Sequence, residues 1–538
     1  MASALCAPRT NVCYLTRFLI FVKDIITISM FMPVSAQPMK TKQELIKERR
    51  SQDWRTDLRK AHPNKERVQL DKTPMPELPI SERITSFHEE VALGYSREEA
   101  MAEARRCLDC PTPGCVDGCP VGIHIPSFIK LIERGEMIDA LNVIRETSSL
   151  PAVCGRVCPQ EKQCESQCIY TLSLKKQAVS IGNLERYVAD YERLHRDRSI
   201  KPKPTTSPRR GKIAVVGSGP AGLSFATDMA KWGYDVTVYE AQSELGGVMR
   251  YGIPEFCLPN SIIEDEIEKM RDLGVHFETN TIVGETITYE DLKAAGMEGI
   301  FVATGVGVAN HMGIPGEDLK GVYTASEYLA KYNMMSPEEL AAELPQLRGK
   351  HVAVIGGGNT AIDAVRTAIR LDAEQAMIVY RRSEEEMPAR AEEIKHACEE
   401  GTQLLTLHNP VEYIGDSSGR VVSMRLQRME LGAPDESGRR RPVAIPGDIV
   451  EMPVDEVVVC IGYSAHPLVA SSMPDLKVDK WGNILVNDDK QTSMPDVYAG
   501  GDIVRGAATV ILAMGDGRKA ATAMHQRLTG RIEEGALV

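Results

Sequence analysis

The sequence has no surplus of basic residues: 63 lysines and arginines stand against 75 aspartates and glutamates, a formal net charge of -12. Binding to a phosphate-rich polymer rests on a basic surface, so nucleic acid is not an expected partner. Long apolar runs are missing too. The most hydrophobic stretches, Phe18 to Val22 and Ile25 to Val34, are separated by Lys23 and Asp24, and neither is long enough to span a bilayer. No membrane anchor is expected. The same region ends in Val-Ser-Ala-Gln and has the outline of a signal peptide. Its charged interruption argues against export, so we expect residues 1–40 to be an extension or a mis-assigned start, with Met30, Met32 or Met39 the better first residue. A cytoplasmic location follows.

At 538 residues, with 43% hydrophobic and 26% charged composition, the chain is expected to be a multidomain globular enzyme. From residue 41 to about 198, helix-favouring charged stretches such as Ser96 to Arg106 alternate with cysteine-bearing loops. Residues 199–211, rich in proline and charge without apolar periodicity, have the composition of a linker. Lys212 to Val216 then forms a β-branched run into a glycine turn, and His351 to Ile355 repeats the design. Such units predict an α/β chain with two doubly wound, Rossmann-like domains after a helical N-terminal domain. Buried runs at Gly299 to Gly305 and Asp496 to Asp502 place the second unit inside the first: residues 212–325 and 471–538 form one domain, and residues 326–470 the other.

Gly217, Gly219, Pro220, Ala221 and Gly222 follow the first strand and open an apolar-periodic helix, and Glu240 ends the next strand. Glycines there permit close approach of a pyrophosphate to a helix N-terminus, and the carboxylate suits ribose hydroxyls. In the second unit Gly356, Gly358, Asn359, Thr360 and Ala361 form the turn, but the following strand ends in Arg381 and Arg382 rather than an acid. Two guanidiniums there suit a 2′-phosphate, which favours NADPH over NADH.

The stretches Glu244 to Pro254, Tyr380 to Ala389, Ala499 to Asp502, Ala508 to Val510 and Asp516 to Arg518 carry a closer signal. In them the chain resembles the small (beta) subunit of NADPH-dependent glutamate synthase and its relatives, from about residue 41 onward. The resemblance implies FAD in the first site and NADPH in the second. It also implies that Gly246, Gly247, Arg250, Thr304, Gly305 and Gly501 belong to the cofactor sites, that Asp502 meets the flavin ribityl chain, and that Thr509 and Val510 present backbone N–H groups to the flavin. Cys257 stands where the family pattern Ile-Pro-x-Phe-Lys has lysine.

Of the 13 cysteines, eight lie between Cys107 and Cys168. Thiolates suit iron–sulfur clusters or zinc, and the run Cys107, Cys110, Cys115, Cys119-Pro120 favours clusters. In two-cluster ferredoxins the last cysteine of such a run ligates the other cluster. We therefore expect two 4Fe-4S clusters. Cys107, Cys110 and Cys115 would share one with Cys168, and Cys119 would join Cys158 and Cys164. The eighth ligand is Cys154 or, as the resemblance to domain relatives implies, Glu185. Cys257, Cys398 and Cys460 are expected to be inert, with no dithiol relay among them.

FAD accepts electrons in pairs and releases them singly, so cofactors and not acid–base side chains are expected to carry the chemistry. The chain is too short to hold a glutaminase domain and a second flavin barrel. The resemblance therefore implies an electron-input subunit, feeding a large subunit that makes glutamate from glutamine and 2-oxoglutarate. The alternatives in the same superfamily are a subunit of an electron-bifurcating NADH-dependent ferredoxin:NADP oxidoreductase or of a sulfide dehydrogenase.

Overall fold

The computed structural model describes residues 41–196, 210–336, 338–340, 347–436, 438–473 and 475–530. The expected N-terminal extension and most of the expected linker lie outside these residues.

Residues 41–196 are built from helices, with one isolated bridge between Glu77 and Ala92. A capping box starts the helix Arg97–Arg106: the Ser96 hydroxyl accepts from the Glu99 amide and the Glu99 carboxylate accepts from the Ser96 amide. That helix ends on Cys107. Cys158 likewise follows the helix Pro151–Val157. These two cysteines thus sit where helices stop and backbone groups turn away from the ladder. The helix Ile181–His195 (α1) packs against Pro151–Val157 and closes this layer.

Two five-stranded parallel sheets follow. The first contains Lys212–Val216 (β1), Asp235–Tyr239 (β2), His276–Glu278 (β3) and Met297–Val302 (β4), completed far later by Val497–Ala499 (β13), in the order β13-β4-β1-β2-β3. The second contains Val322–Thr324 (β5), His351–Ile355 (β6), Gln375–Tyr380 (β7), Gln403–Thr406 (β8) and Glu456–Val459 (β12), in the order β5-β12-β6-β7-β8. Val322–Thr324 joins the second sheet although it lies before residue 326. Between β8 and β12 runs an antiparallel sheet of His408–Gly415 (β9), Val421–Pro434 (β10) and Arg440–Pro453 (β11).

Parallel strands buried on both faces need apolar residues throughout, and Ile213, Ala214, Val215, Val352, Ala353 and Val354 are all fully buried. In the first sheet the chain leaves β1 toward one edge and later returns on its other side with β4; in the second it leaves β6 in the same way and returns with β12, between β6 and the edge strand β5. That order makes a crevice at the carboxyl ends of β1 and β4 and another at those of β6 and β12, where ligands of such sheets bind.

Candidate functional site

At the end of β1 the backbone must turn at once into the helix Pro220–Lys231 (α2), and Gly217 does this at φ +102°. A Cβ there would lie 2.5 Å from the Ala303 carbonyl across the crevice, and one on Gly222 2.0 Å from the Gly217 carbonyl. Glycine is thus required at both positions for different reasons: strand-to-strand approach and helix-to-turn packing. Gly219, by contrast, faces open space, and the α2 N-terminus has no side-chain cap. Its unsatisfied N–H groups and positive dipole end are a ready anion site. Glu240 is held rigid beside it: one carboxylate oxygen accepts from the Ser218 amide at 2.9 Å and from its hydroxyl, and the other from the Gln242 amide at 2.9 Å.

The second turn follows the same logic. Gly356 lies at φ +142°, and a Cβ on it would stand 2.3 Å from the Cys460 carbonyl. Gly358 faces open space and precedes the uncapped helix Asn359–Arg370 (α3). The two arginines at the end of β7 are placed differently. Arg382 is buried, donating to the Arg440 carbonyl at 2.8 Å and to Asp435 at 2.7 Å; Arg381 is exposed.

Both turns open into one cavity of about 1760 Å³. Its wall includes Gly217, Gly219, Pro220, Ala221, Glu240, Gly247, Thr304, Gly305, Gly501, Asp502, Thr509 and Val510 on one side. On the other it includes Gly356, Gly358, Asn359, Thr360, Arg381 and Arg382. Burial pushes the Asp502 carboxyl up to about 6. Four expected residues stand behind the wall. Gly222 and Ala361 pack their helices, Gly246 donates its amide to Ser218, and Arg250 is engaged by the Leu245 carbonyl and Glu264.

The eight clustered cysteines are free thiols, buried or half-buried, and fall into two groups. Cys107, Cys110, Cys115 and Cys168 lie within electrostatic reach of one another: burial raises the Cys107, Cys110 and Cys115 thiols, Cys110 to about 12, and the neighbouring sulfurs of the set add to it. Cys119, Cys154, Cys158, Cys164 and Glu185 form the other group. Burial raises the Cys119 thiol to about 12 and also raises Cys164, whereas Cys154 is raised first by its hydrogen bond with Cys158 and then by burial. Glu185 is buried with its carboxyl pushed up to about 8 by burial and by Glu266, and its Oε1 has no hydrogen-bond partner. Buried soft donors in two sets, one with an orphaned carboxylate oxygen, suit metal clusters that bind thiolate and release its proton. The second set adjoins the helix Val510–Thr529 (α5): the Cys154 thiol donates to Met514 Sδ at 3.4 Å, and a Cβ on Gly515 would lie 3.2 Å from the Pro120 carbonyl.

Some of the site escaped the sequence reading. Arg390 reaches from the second nucleotide domain to Gln160 and to the Arg156 carbonyl, while its own amide donates to Asn359 Oδ1 at 2.9 Å. Cys257 lines the cavity against Asp363 and Glu393, with Arg366 donating to its sulfur at 3.4 Å. The only local signal for Arg390 is its place directly after Tyr380 to Ala389.

Residues 83–197 match the family described as dihydropyrimidine dehydrogenase domain II, 4Fe-4S cluster, and residues 211–523 match pyridine nucleotide-disulphide oxidoreductase. The small chain of NADPH glutamate synthase from Azospirillum brasilense is 37% identical over 462 residues, which cover 85% of this chain and 94% of that one. The putative oxidoreductase AegA of Escherichia coli (strain K12) is 38% identical over 452 residues, 82% of this chain and 68% of AegA. The solved structure of Mycobacterium tuberculosis FprA in complex with NADPH superposes with a TM-score of 0.51 at 22% identity, over 60% of this chain and 85% of FprA. That likeness speaks to fold. Among the described residues no helix is long and apolar enough to cross a membrane.

Proposed function

Because the chain belongs to the family of NADPH-dependent glutamate synthase small chains, we propose that it is the electron-input subunit of such an enzyme, oxidising NADPH and passing electrons to a large chain that makes glutamate. It is an NADPH-dependent flavin iron–sulfur oxidoreductase, with FAD, NADPH and two 4Fe-4S clusters as its cofactors. The observation that carries the reading is the joining of two dinucleotide turns in one cavity, whose flavin-side helix α5 touches the second cysteine set.

FAD bound there would supply an acceptor of hydride as an electron pair and a source of single electrons for clusters that would carry one each. The chain's own residues bind and orient. The α2 N-terminus takes one pyrophosphate and Glu240 the adjoining ribose; the α3 N-terminus takes the other. Arg381, exposed at the cavity wall, supplies charge for a 2′-phosphate, and Arg382, which also lines the cavity, is held by Asp435 and the Arg440 carbonyl. Asp502 and the Thr509 and Val510 amides face the flavin position. Cys107, Cys110, Cys115 and Cys168 hold one cluster; Cys119, Cys158, Cys164 and Glu185 hold the other. Glu185 is preferred to Cys154 because its Oε1 is buried without a partner, whereas the Cys154 thiol already has Met514.

The reading places the chain in the cytoplasm, where NADPH is available. Anaerobic purification tests it: the protein should be yellow-brown, carry about eight irons with labile sulfide, and bleach on addition of NADPH. Zinc in place of iron, or no flavin, overturns it.

A further inference from the structure

The two cysteine sets are not equally placed. The set containing Cys119, Cys158 and Cys164 lies on the flavin side, joined to α5 through Cys154 and Met514. The other set lies toward the surface. Pro111 and Thr112, next to the half-buried Cys110, are exposed, and the chain after Cys168 turns outward at once. There the amides of Thr171 and Leu172 donate to the Cys168 carbonyl at 2.9 and 3.0 Å, building a short turn on the cysteine itself.

That turn presents apolar side chains to water: Ile169 is 39% exposed, Leu172 52% and Leu174 40%. Leu70, 44% exposed, belongs to the segment beside them, because Lys176 Nζ donates to the Val68 carbonyl at 2.6 Å. Single exposed leucines need no explanation, but a group of them against a redox ligand does. The local charge is also distinctive. Residues 166–177 hold Lys175 and Lys176 and no acid, in a chain of net charge -12.

We propose that Ile169, Leu172, Leu174 and Leu70, flanked by Lys175, form the docking surface through which electrons leave the chain. The occupant is a redox protein with an apolar patch rimmed by acids over a one-electron centre. The inference rests on the reading of the chain as an electron-input subunit, and so takes the large chain as that protein. Each transfer moves one electron from the Cys168 set to the partner's oxidised centre, with no proton or bond exchanged. NADPH, the reductant, yields two electrons and so supplies two transfers. Apolar contact gives the complex its lifetime, and lysine attraction speeds encounter and makes it salt-dependent.

The test uses the full holoprotein and the glutamate synthase large chain of the same organism, mixed anaerobically, with binding measured alongside NADPH-to-ferricyanide turnover and iron content. The Leu172→Glu/Leu174→Glu variant should bind at least tenfold more weakly, and Lys175→Glu severalfold, while both keep iron and ferricyanide turnover. A control, Trp481→Glu, which alters a still more exposed apolar residue elsewhere, should bind as the unaltered protein does. If the double leucine variant binds normally, this surface is wrong and the functional reading stands. If the unaltered protein binds no large chain, the functional reading falls and takes this surface with it. Should the double variant lose iron, Leu70→Glu, far in sequence from the cysteines, decides by the same criteria.

Discussion

The thiol of Cys154 points at the thioether of Met514, with 3.4 Å between the two sulfurs. The contact packs the cysteine against the helix Val510–Thr529. The orphaned carboxylate oxygen of Glu185 is a better candidate for the metal. The two residues therefore differ in what their loss should do.

Cys154→Ala is expected to keep about eight irons and both cluster signals by EPR, at a modest cost in stability for the lost sulfur contact. Glu185→Ala should retain about half the iron, with one signal gone. Loss of four irons in Cys154→Ala, with Glu185→Ala unaffected, reverses the assignment.

Nucleotide preference should separate the paired arginines. Arg381→Ala should raise the KM for NADPH roughly tenfold, the loss of one charge-assisted pair, and leave that for NADH nearly unchanged. Arg382→Ala strands Asp435 and the Arg440 carbonyl, so it should lower thermal stability and affect both nucleotides. An unaltered NADPH-to-NADH ratio in the double variant removes these residues from phosphate recognition.

What the sequence could and could not say follows from how local each feature is. The turns at Gly217 and Gly356 were legible because strand, glycine and helix are contiguous, and positive φ selects the residue. The division of the cysteines was not legible from spacing alone: it was expected from the ferredoxin pattern, in which the last cysteine of the first run belongs with the other set, and in the structure Cys168 lies by Cys107, Cys110 and Cys115 while Cys119 lies by Cys158 and Cys164. Arg381 and Arg382 were not separable, because both reach the cavity wall and only the fold shows that Arg382 is buried and committed to Asp435 and the Arg440 carbonyl while Arg381 is exposed. The antiparallel sheet was equally hidden. Along β11 most positions are exposed, so no clear alternation of apolar and polar residues marks a buried face. The Cys257 cluster joins residues up to 136 positions apart, and nothing near Cys257 in the chain predicts Asp363 or Glu393.

Asp363 gives a pH dependence with a definite sign. Burial, and then Glu393, push its carboxyl up to about 8. The folded state therefore keeps a proton that the unfolded state releases near pH 4, so stability falls as pH rises from about 4 to about 8. Asp363→Asn removes that release. The variant should match the unaltered protein below pH 4 and exceed it by roughly 5 kcal/mol at most at pH 8. Denaturant unfolding of the nucleotide-free protein at both pH values checks it, and equal stability at pH 8 refutes the argument.

The joint between the iron–sulfur and nucleotide domains should influence nucleotide binding through a short mechanical chain. Lys162, in the turn between Cys158 and Cys164, donates to the carbonyls of Pro388 and Ala389 at 2.7 and 2.8 Å. The adjacent Glu161 accepts from the Ala391 amide at 3.1 Å. The clamped segment is the one whose Arg390 amide holds Asn359, the first residue of α3 and part of the nucleotide wall. Lys162→Met keeps the side chain's length but removes both charged hydrogen bonds, each worth about 1.5–3 kcal/mol at most. Released from the clamp, the segment spends part of its time away from Asn359, and the binding-competent state is diluted. The KM for NADPH should then rise several-fold, while kcat with ferricyanide and the iron content stay as they were, because neither cysteine beside the turn has been altered. A fall in iron with KM unchanged places Lys162 in cluster retention alone and breaks the proposed link between the domains.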